Sequence, residues 1–370
     1  MYRKISKFLE EWKNSPFRKP LILQGARQVG KTYAVLEFGR LAYKQVAYFN
    51  FETNPTLMKT FDESVEPAYL LPVLSRIAGK EITEGDTLIV FDEIQLCERA
   101  LTSLKYFAEQ EKDYHVIAAG SLLGVAVNRS AYSFPVGKVD FKTLYPMDME
   151  EFLLALGEEE LVQRIHGCFD SNSPMPAVLH EKALERYRQY LVVGGMPECV
   201  RLYKETKDYT LVRHVQESIL LSYLDDMSKY NNVNEIKKTR LTYQSVTVQL
   251  SKKNTRFQYK LIKKGGRASE FENAIEWLCL SGIVLRVNKV EQIKKPLENY
   301  ADIDSFKIYV SDLGLLCAKK DVVPEDVLYS SEELNDFKGA MSENYVDAQL
   351  VANGYTPYYW EYDREAEVDF

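Results

Sequence analysis

The chain has 370 residues, more than one domain at the usual ~100–200 residues each, and 27% of them are charged, as in an ordinary soluble globular protein. Forty-seven basic residues against 54 acidic leave a net charge of -7, which excludes a uniformly basic nucleic-acid coat. No apolar run reaches membrane-spanning length, and the N-terminal MYRKISKFLEEWKNSPF is charged and amphipathic rather than a leader, so a cytoplasmic protein is expected.

From the N-terminus, apolar strand-like runs alternate with helical periods. Strands are predicted at Leu21–Gln24, Val46–Phe51, Thr87–Asp92, His115–Gly120 and Val139–Tyr145, with helices such as Thr32–Leu41 and Ala100–Glu111 between them. Such alternation builds a parallel α/β sheet. Directly between the first strand and the first of these helices lies Gly25-Ala26-Arg27-Gln28-Val29-Gly30-Lys31-Thr32, which satisfies GxxxxGK[ST]. The glycines let the loop curl so that backbone N–H groups face inward, and the helix N-terminus adds partial positive charge. Lys31 would reach the β- and γ-phosphates of a nucleotide, and Thr32 would place its hydroxyl on Mg²⁺. Arg27 would contact phosphate or a neighbouring strand.

The strand Leu88-Ile89-Val90-Phe91-Asp92 ends in a second carboxylate, Glu93. Asp92 is expected to hold Mg²⁺ and Glu93 to polarise the attacking water. A metabolite kinase has no need of a water-activating carboxylate, so hydrolysis is favoured over phosphoryl transfer. The next strand ends in Gly120-Ser121, and Ser121 would bond the lytic water or γ-phosphate, or else cap a following helix. Arg129 and Lys138 lie where a neighbouring subunit's cation would be presented, with solvent-exposed surface charge as the alternative.

From Glu150 to about Tyr230 the pattern is helical, with a turn at Gly194, Gly195 and Pro197. The interval 236–269 then carries ten basic residues and no acidic one, which leaves -17 on the rest of the chain. Aromatic residues Tyr243, Phe257 and Tyr259 are interleaved with these charges, a pattern that suits nucleic acid. The helix expected at about Ala268 to Leu280 carries Glu270, Glu272 and Glu276, which disfavours its insertion into a groove. Docking of the basic stripe on the acidic ATPase domain, within the chain or between subunits, and a solvated face are the competing readings. Strands at Ile283–Val290 and Lys307–Val310 complete a winged-helix pattern, followed by a helix at Ala340–Ala352 and strand-like runs at Thr356–Glu361 and Glu367–Phe370. Cys97, Cys168, Cys199, Cys279 and Cys317 are too scattered for a metal or disulfide framework and are expected to be reduced.

On its Walker A loop, Walker B strand and Gly120-Ser121, the chain resembles the AAA-type P-loop ATPases of bacteria and archaea with a C-terminal domain of unassigned function. LYPMDMEEFL (144–153), YLVVGGMPE (190–198), KIYVSDLGLL (307–316) and ENYVDAQL (343–350) carry the resemblance through nearly the whole chain. It implies an AAA/ASCE sheet of order 5-1-4-3-2 in an ATPase domain at 1–180, a helical linker and winged helix at 181–325, and an incomplete nuclease-like α/β segment at 326–370. It also implies ATP, since no guanine-reading NKxD is present, and a homo-oligomer or protein partner. Many relatives have Gly-Arg where this chain has Gly137-Lys138, so a lysine would stand in for the arginine finger. Glu343 and Asp369 match the first two positions of a PD-(D/E)xK nuclease fold, but the strand with the ExK pair would have to follow Phe370. The function expected is an Mg²⁺-dependent ATPase whose nucleotide state moves a winged-helix module able to contact DNA. A nucleotide-gated DNA- or protein-binding switch with negligible turnover is the alternative.

Overall fold

Leu21–Gln24, Thr87–Asp92 and His115–Gly120 form strands with the bounds that their apolar runs predict, because a parallel strand covered on both faces is apolar throughout. The structure, a computed structural model, describes residues 1–121, 123, 137–229, 233–251, 256–329, 335–362 and 366–370. They divide into two units, Tyr2–Leu144 and Tyr145–Phe370.

The first unit runs α1 (Ile5–Asn14), β1 (Leu21–Gln24), α2 (Lys31–Ala42), β2 (Gln45–Asn50), α3 (Pro55–Glu63), α4 (Pro67–Ala78), β3 (Thr87–Asp92), α5 (Glu98–Gln110), β4 (His115–Gly120) and β5 (Asp140–Thr143). Its strands are all parallel, in the order β2-β3-β4-β1-β5. Read from the other edge, this is the 5-1-4-3-2 order that the resemblance implies. The register aligns Asn50 with Asp92, Gln24 with Gly120 and Gln24 with Thr143, so the carboxyl ends of these strands share one sheet edge. In open α/β sheets that edge is where ligands bind. Helix α3 begins with Asn54, whose side chain accepts from the Thr56 N–H, and Pro55 at its first turn. Phe49, Phe51, Phe61, Phe91 and Phe107 interlock in the core behind the edge, with successive ring centroids 5.5–6.4 Å apart.

The second unit runs α6 (Met149–Ala155), α7 (Glu159–Asp170), α8 (Ala177–Val193), α9 (Pro197–Thr206), α10 (Tyr209–Lys229), α11 (Val233–Ser251), α12 (Ala268–Leu280), β6 (Val284–Val290), β7 (Ala301–Val310), α13 (Leu313–Lys319), α14 (Pro324–Leu328), α15 (Asn335–Ala352), β8 (Tyr358–Tyr362) and β9 (Ala366–Val368). Residues 145–180, expected with the ATPase domain, fall in this unit. The reason is packing: Phe152 of α6 makes an edge contact with Tyr190 and stacks on Tyr203, and Tyr190 donates to the Met147 carbonyl at 2.7 Å. Asp148 and Glu151 form a reciprocal capping box at the start of α6.

Helices α11 and α12 pack together and precede the antiparallel pair β6–β7. The segment 326–370 is not set apart from this hairpin. Asn288 and Lys289 pair in parallel with Tyr358 and Tyr359, so β8 and β9 extend the hairpin into a four-stranded sheet of order β7-β6-β8-β9.

The stretches at 144–153, 190–198, 307–316 and 343–350 meet in one buried polar frame. Asp312, wholly buried, accepts from Gly195 N–H at 2.6 Å and from Leu315 N–H at 2.8 Å, and burial pushes its carboxyl up to about 6 against those bonds. Asn344 accepts from Val310 N–H at 2.8 Å and donates back to its carbonyl at 2.7 Å. Gln349 donates to Tyr190 and accepts from the Met149 N–H. Motifs that carried only the family likeness are therefore the fasteners of this unit.

Candidate active site

The loop from β1 to α2 takes left-handed or positive-φ backbone at Gly25, Gln28 and Gly30. At Gly25, with φ 145°, a Cβ would overlap the Leu144 carbonyl oxygen, so glycine is required sterically as well as conformationally. Ala26 and Val29 are buried and anchor the loop, while Arg3 holds the Val29 carbonyl at 2.9 Å. Arg27 is half-buried and Gln28 is exposed. Lys31, only 7% exposed, places Nζ 2.9 Å from the Gly25 carbonyl and 2.8 Å from the Ala26 carbonyl, so it spans the loop from within.

Thr32 Oγ1 lies 3.0 Å from Asp92 Oδ2, which brings the two expected metal-holding groups together. A hydroxyl and a carboxylate form a hard-oxygen pair that fits Mg²⁺. Among the described residues there is no group of three or more His, Cys, Asp or Glu arranged for a metal, so a cation here would complete its shell with water and phosphate. Glu93 follows in a left-handed conformation, φ 53°, and is mostly buried. Burial raises its carboxyl above the ordinary range, a hydrogen bond from Gln95 opposes this, and the Asp92 charge adds to it. Ser121, 6% exposed, directly follows β4 at the same sheet edge.

Tyr48, Asn50 and Gln95 are further site residues that sequence reasoning missed. Tyr48 donates to Asp92 Oδ2 at 2.6 Å and receives Asn50 Nδ2 at 3.2 Å. Burial, then the bond to Asp92, pushes the Tyr48 hydroxyl up to about 12, so it remains a donor at neutral pH. Gln95 donates to Glu93 Oε2. The sign available in the sequence was a polar residue at each strand end on this edge, but only the register of β2 on β3 aligns Asn50 with Asp92.

Arg129 lies outside the described residues. Lys138 pairs with Glu109 of α5 at 2.9 Å, both partly exposed. In the basic interval Lys237, Arg240, Arg256, Lys260, Lys263, Lys264 and Arg267 are exposed, although Lys238 pairs with Glu235 and Lys263 with Glu270. Lys252 and Lys253 are outside the described residues. Of the interleaved aromatics Tyr243 and Phe257 are buried, Phe257 stacking on Phe306 at 5.3 Å, while Tyr259 is half-buried. Glu343 and Asp369 do converge, on a residue the sequence did not single out: Lys307 of β7 lies 2.9 Å from Asp369, 3.1 Å from Glu367 and 3.9 Å from Glu343. Among the described residues no helix is long and apolar enough to cross a membrane.

Residues 17–153 match the AAA domain family. The N-terminal unit is an AAA-type P-loop domain. Residues 184–326 match a domain of unknown function, DUF8612. No curated protein matches the chain. Among solved structures, a Walker-type ATPase of Pyrococcus abyssi is similar over 85% of this chain and 94% of its own, at 14% identity and a TM-score of 0.52. The ORC2 protein of Aeropyrum pernix, in ADPNP and ADP complexes, covers 92% of this chain and 94% of its own at 11% identity and a TM-score of 0.41. The first likeness is one of fold.

Proposed function

We propose that the protein is an Mg²⁺-dependent ATPase whose nucleotide state is relayed to the second unit. The observation that carries this reading is the 3.0 Å approach of Thr32 Oγ1 to Asp92 Oδ2, with Glu93 next in the chain and Lys31 inside the loop. Lys31 would exchange two neutral carbonyl acceptors for phosphate oxygens, and charge-assisted bonds are roughly twice as strong. Bound Mg²⁺ would neutralise charge on the β- and γ-phosphates, with Thr32 and Asp92 as its protein oxygens, direct or through water. Glu93 takes a proton from the attacking water, and Ser121 orients the water or the γ-phosphate. Burial of Glu93 makes it a better base once ionised, because the charged form is less solvated.

Lys31→Ala is expected to abolish ATP binding, whereas Glu93→Gln keeps binding and stops turnover. Retained turnover in purified Glu93→Gln would remove Glu93 from its role.

The α11–α12 pair with the β6–β7 hairpin supports a winged-helix reading of the second unit, and the exposed cations of 236–269 support contact with a phosphate backbone. With Tyr243 and Phe257 in the core, base stacking has little support and the contact is with phosphate. Reversing charge at Lys252, Lys253, Lys263 and Lys264 should flatten the salt dependence of DNA affinity by about one log–log slope unit per lost phosphate contact. An unchanged slope rejects the contact. Turnover measured with and without DNA separates a DNA-stimulated ATPase from a nucleotide-gated binding switch.

A further inference from the structure

The end of β3 contains a feature that the Walker pattern does not require. A 3-10 turn at Ile94–Leu96 follows Glu93 and places Gln95, 8% exposed, with its Nε2 donating to Glu93 Oε2. Space for this amide comes from the neighbouring strand, where a Cβ on Gly120 would overlap Gln95 Oε1. That oxygen is buried and has no donor among the described residues. An amide that served only to fasten β3 to β4 would be bonded at both ends, since buried polar groups are normally satisfied. Here, among the described residues, the one bond is to Glu93.

We propose that Gln95 is a positioning residue for hydrolysis: its N–H fixes the Glu93 carboxylate toward the attacking water, and the missing side chain of Gly120 provides the room it occupies. The inference rests on the reading of Glu93 as the base. It assigns to the Gln of LIVFDEIQ and the Gly of AAGS one shared task, although they lie on different strand ends. Glu93 has left-handed backbone, so its side chain leaves the strand in an unusual direction, and a second group is needed to hold its carboxylate. The Gln95 amide supplies that restraint.

The test uses the full chain with Gln95→Met, which keeps the length and loses the N–H, and Gly120→Ala, which leaves Gln95 in place and fills its space. Each is expected to lower the single-turnover rate about tenfold, less than the ~10²–10⁴ that a general base itself contributes, while ATP affinity changes less than about twofold. In a Glu93→Gln background neither should lower the residual rate further, because both act through Glu93. Unchanged kcat, or losses that multiply in the double variants, would overturn the proposal. A second readout is independent of turnover: the side-chain ¹⁵N–¹H signal of Gln95 in nucleotide-free protein, assigned by its loss in Gln95→Met, should move in Glu93→Ala. If the wild type proves inactive while that signal moves, the hydrolytic reading fails and the hold on Glu93 stands. A signal insensitive to Glu93→Ala overturns the hold itself.

Discussion

Asp347 on α15 is 0% exposed, and neither carboxylate oxygen has a hydrogen-bond partner among the described residues. Burial alone pushes its carboxyl up from the ordinary 3.8 to about 7. Below about pH 4 the group is protonated in both the folded and the unfolded chain. As pH rises toward 7 the unfolded chain ionises first, so the folded state loses stability until its own carboxyl ionises. At about 1.4 kcal/mol per pH unit between the two values, the loss is at most about 4 kcal/mol. Asp347→Asn removes the titration while keeping the shape. The stability difference between variant and wild type, from urea unfolding at 25 °C between pH 4.5 and 8.5, should therefore rise with pH in favour of the variant. Its slope should be steepest between pH 5 and 7, and the difference should level off above pH 7.5. Trp277 and Trp360 report on this unit. A difference that is flat with pH would show that Asp347 finds compensation in the folded state, and the argument from its orphaned oxygens would fall.

Three further outcomes are expected. Asn344→Ala strips Val310 of both backbone partners in a fully buried position and should cost about 2–5 kcal/mol in urea unfolding, as two unsatisfied buried groups do; a loss below about 1 kcal/mol would show that water replaces the side chain. Lys307→Met leaves Glu343, Glu367 and Asp369 facing one another without their shared cation and, because these carboxylates are partly exposed and screened by solvent, should destabilise by about 1–2 kcal/mol, with partial recovery in 1 M salt. Gly25→Ala should abolish ATP binding in calorimetry, since the added methyl meets the Leu144 carbonyl; binding within about tenfold of wild type would mean that the backbone at Leu144, just after β5, gives way.

The parallel sheet was legible because its inner strands are apolar on both faces, so β1, β3 and β4 announce themselves without their neighbours. The phosphate loop was legible because its chemistry depends on local spacing. Helix α3 was not foreseen although Asn54 and Pro55 mark its start, because a helix of 9 residues spans too few turns to show a clear helical period. Gln95 was hidden for a different reason: its role exists only when Gly120, on the next strand, leaves a gap beside it. The aromatics of the basic interval were ambiguous in the sequence because interleaved charge and ring describe both a nucleic-acid surface and an amphipathic core face. Phe306, about fifty residues further on, decides for Phe257.

The polar frame around Asp312 and Tyr190 bears on how the chain can be dissected. Met147 and Phe152, from just after the first sheet, and Gln349, from the last long helix, all lean on Tyr190 of α8. A recombinant fragment opening at residue 181 would discard the Met147 carbonyl and the Phe152 ring together, and one closing at 325 would remove Asn344 and Gln349 from their backbone partners. Cut points that respect the frame lie at 144/145 and leave the remainder whole. Trials of DNA binding by the isolated second unit should therefore begin at Tyr145, because shorter pieces would report on the loss of their own scaffold.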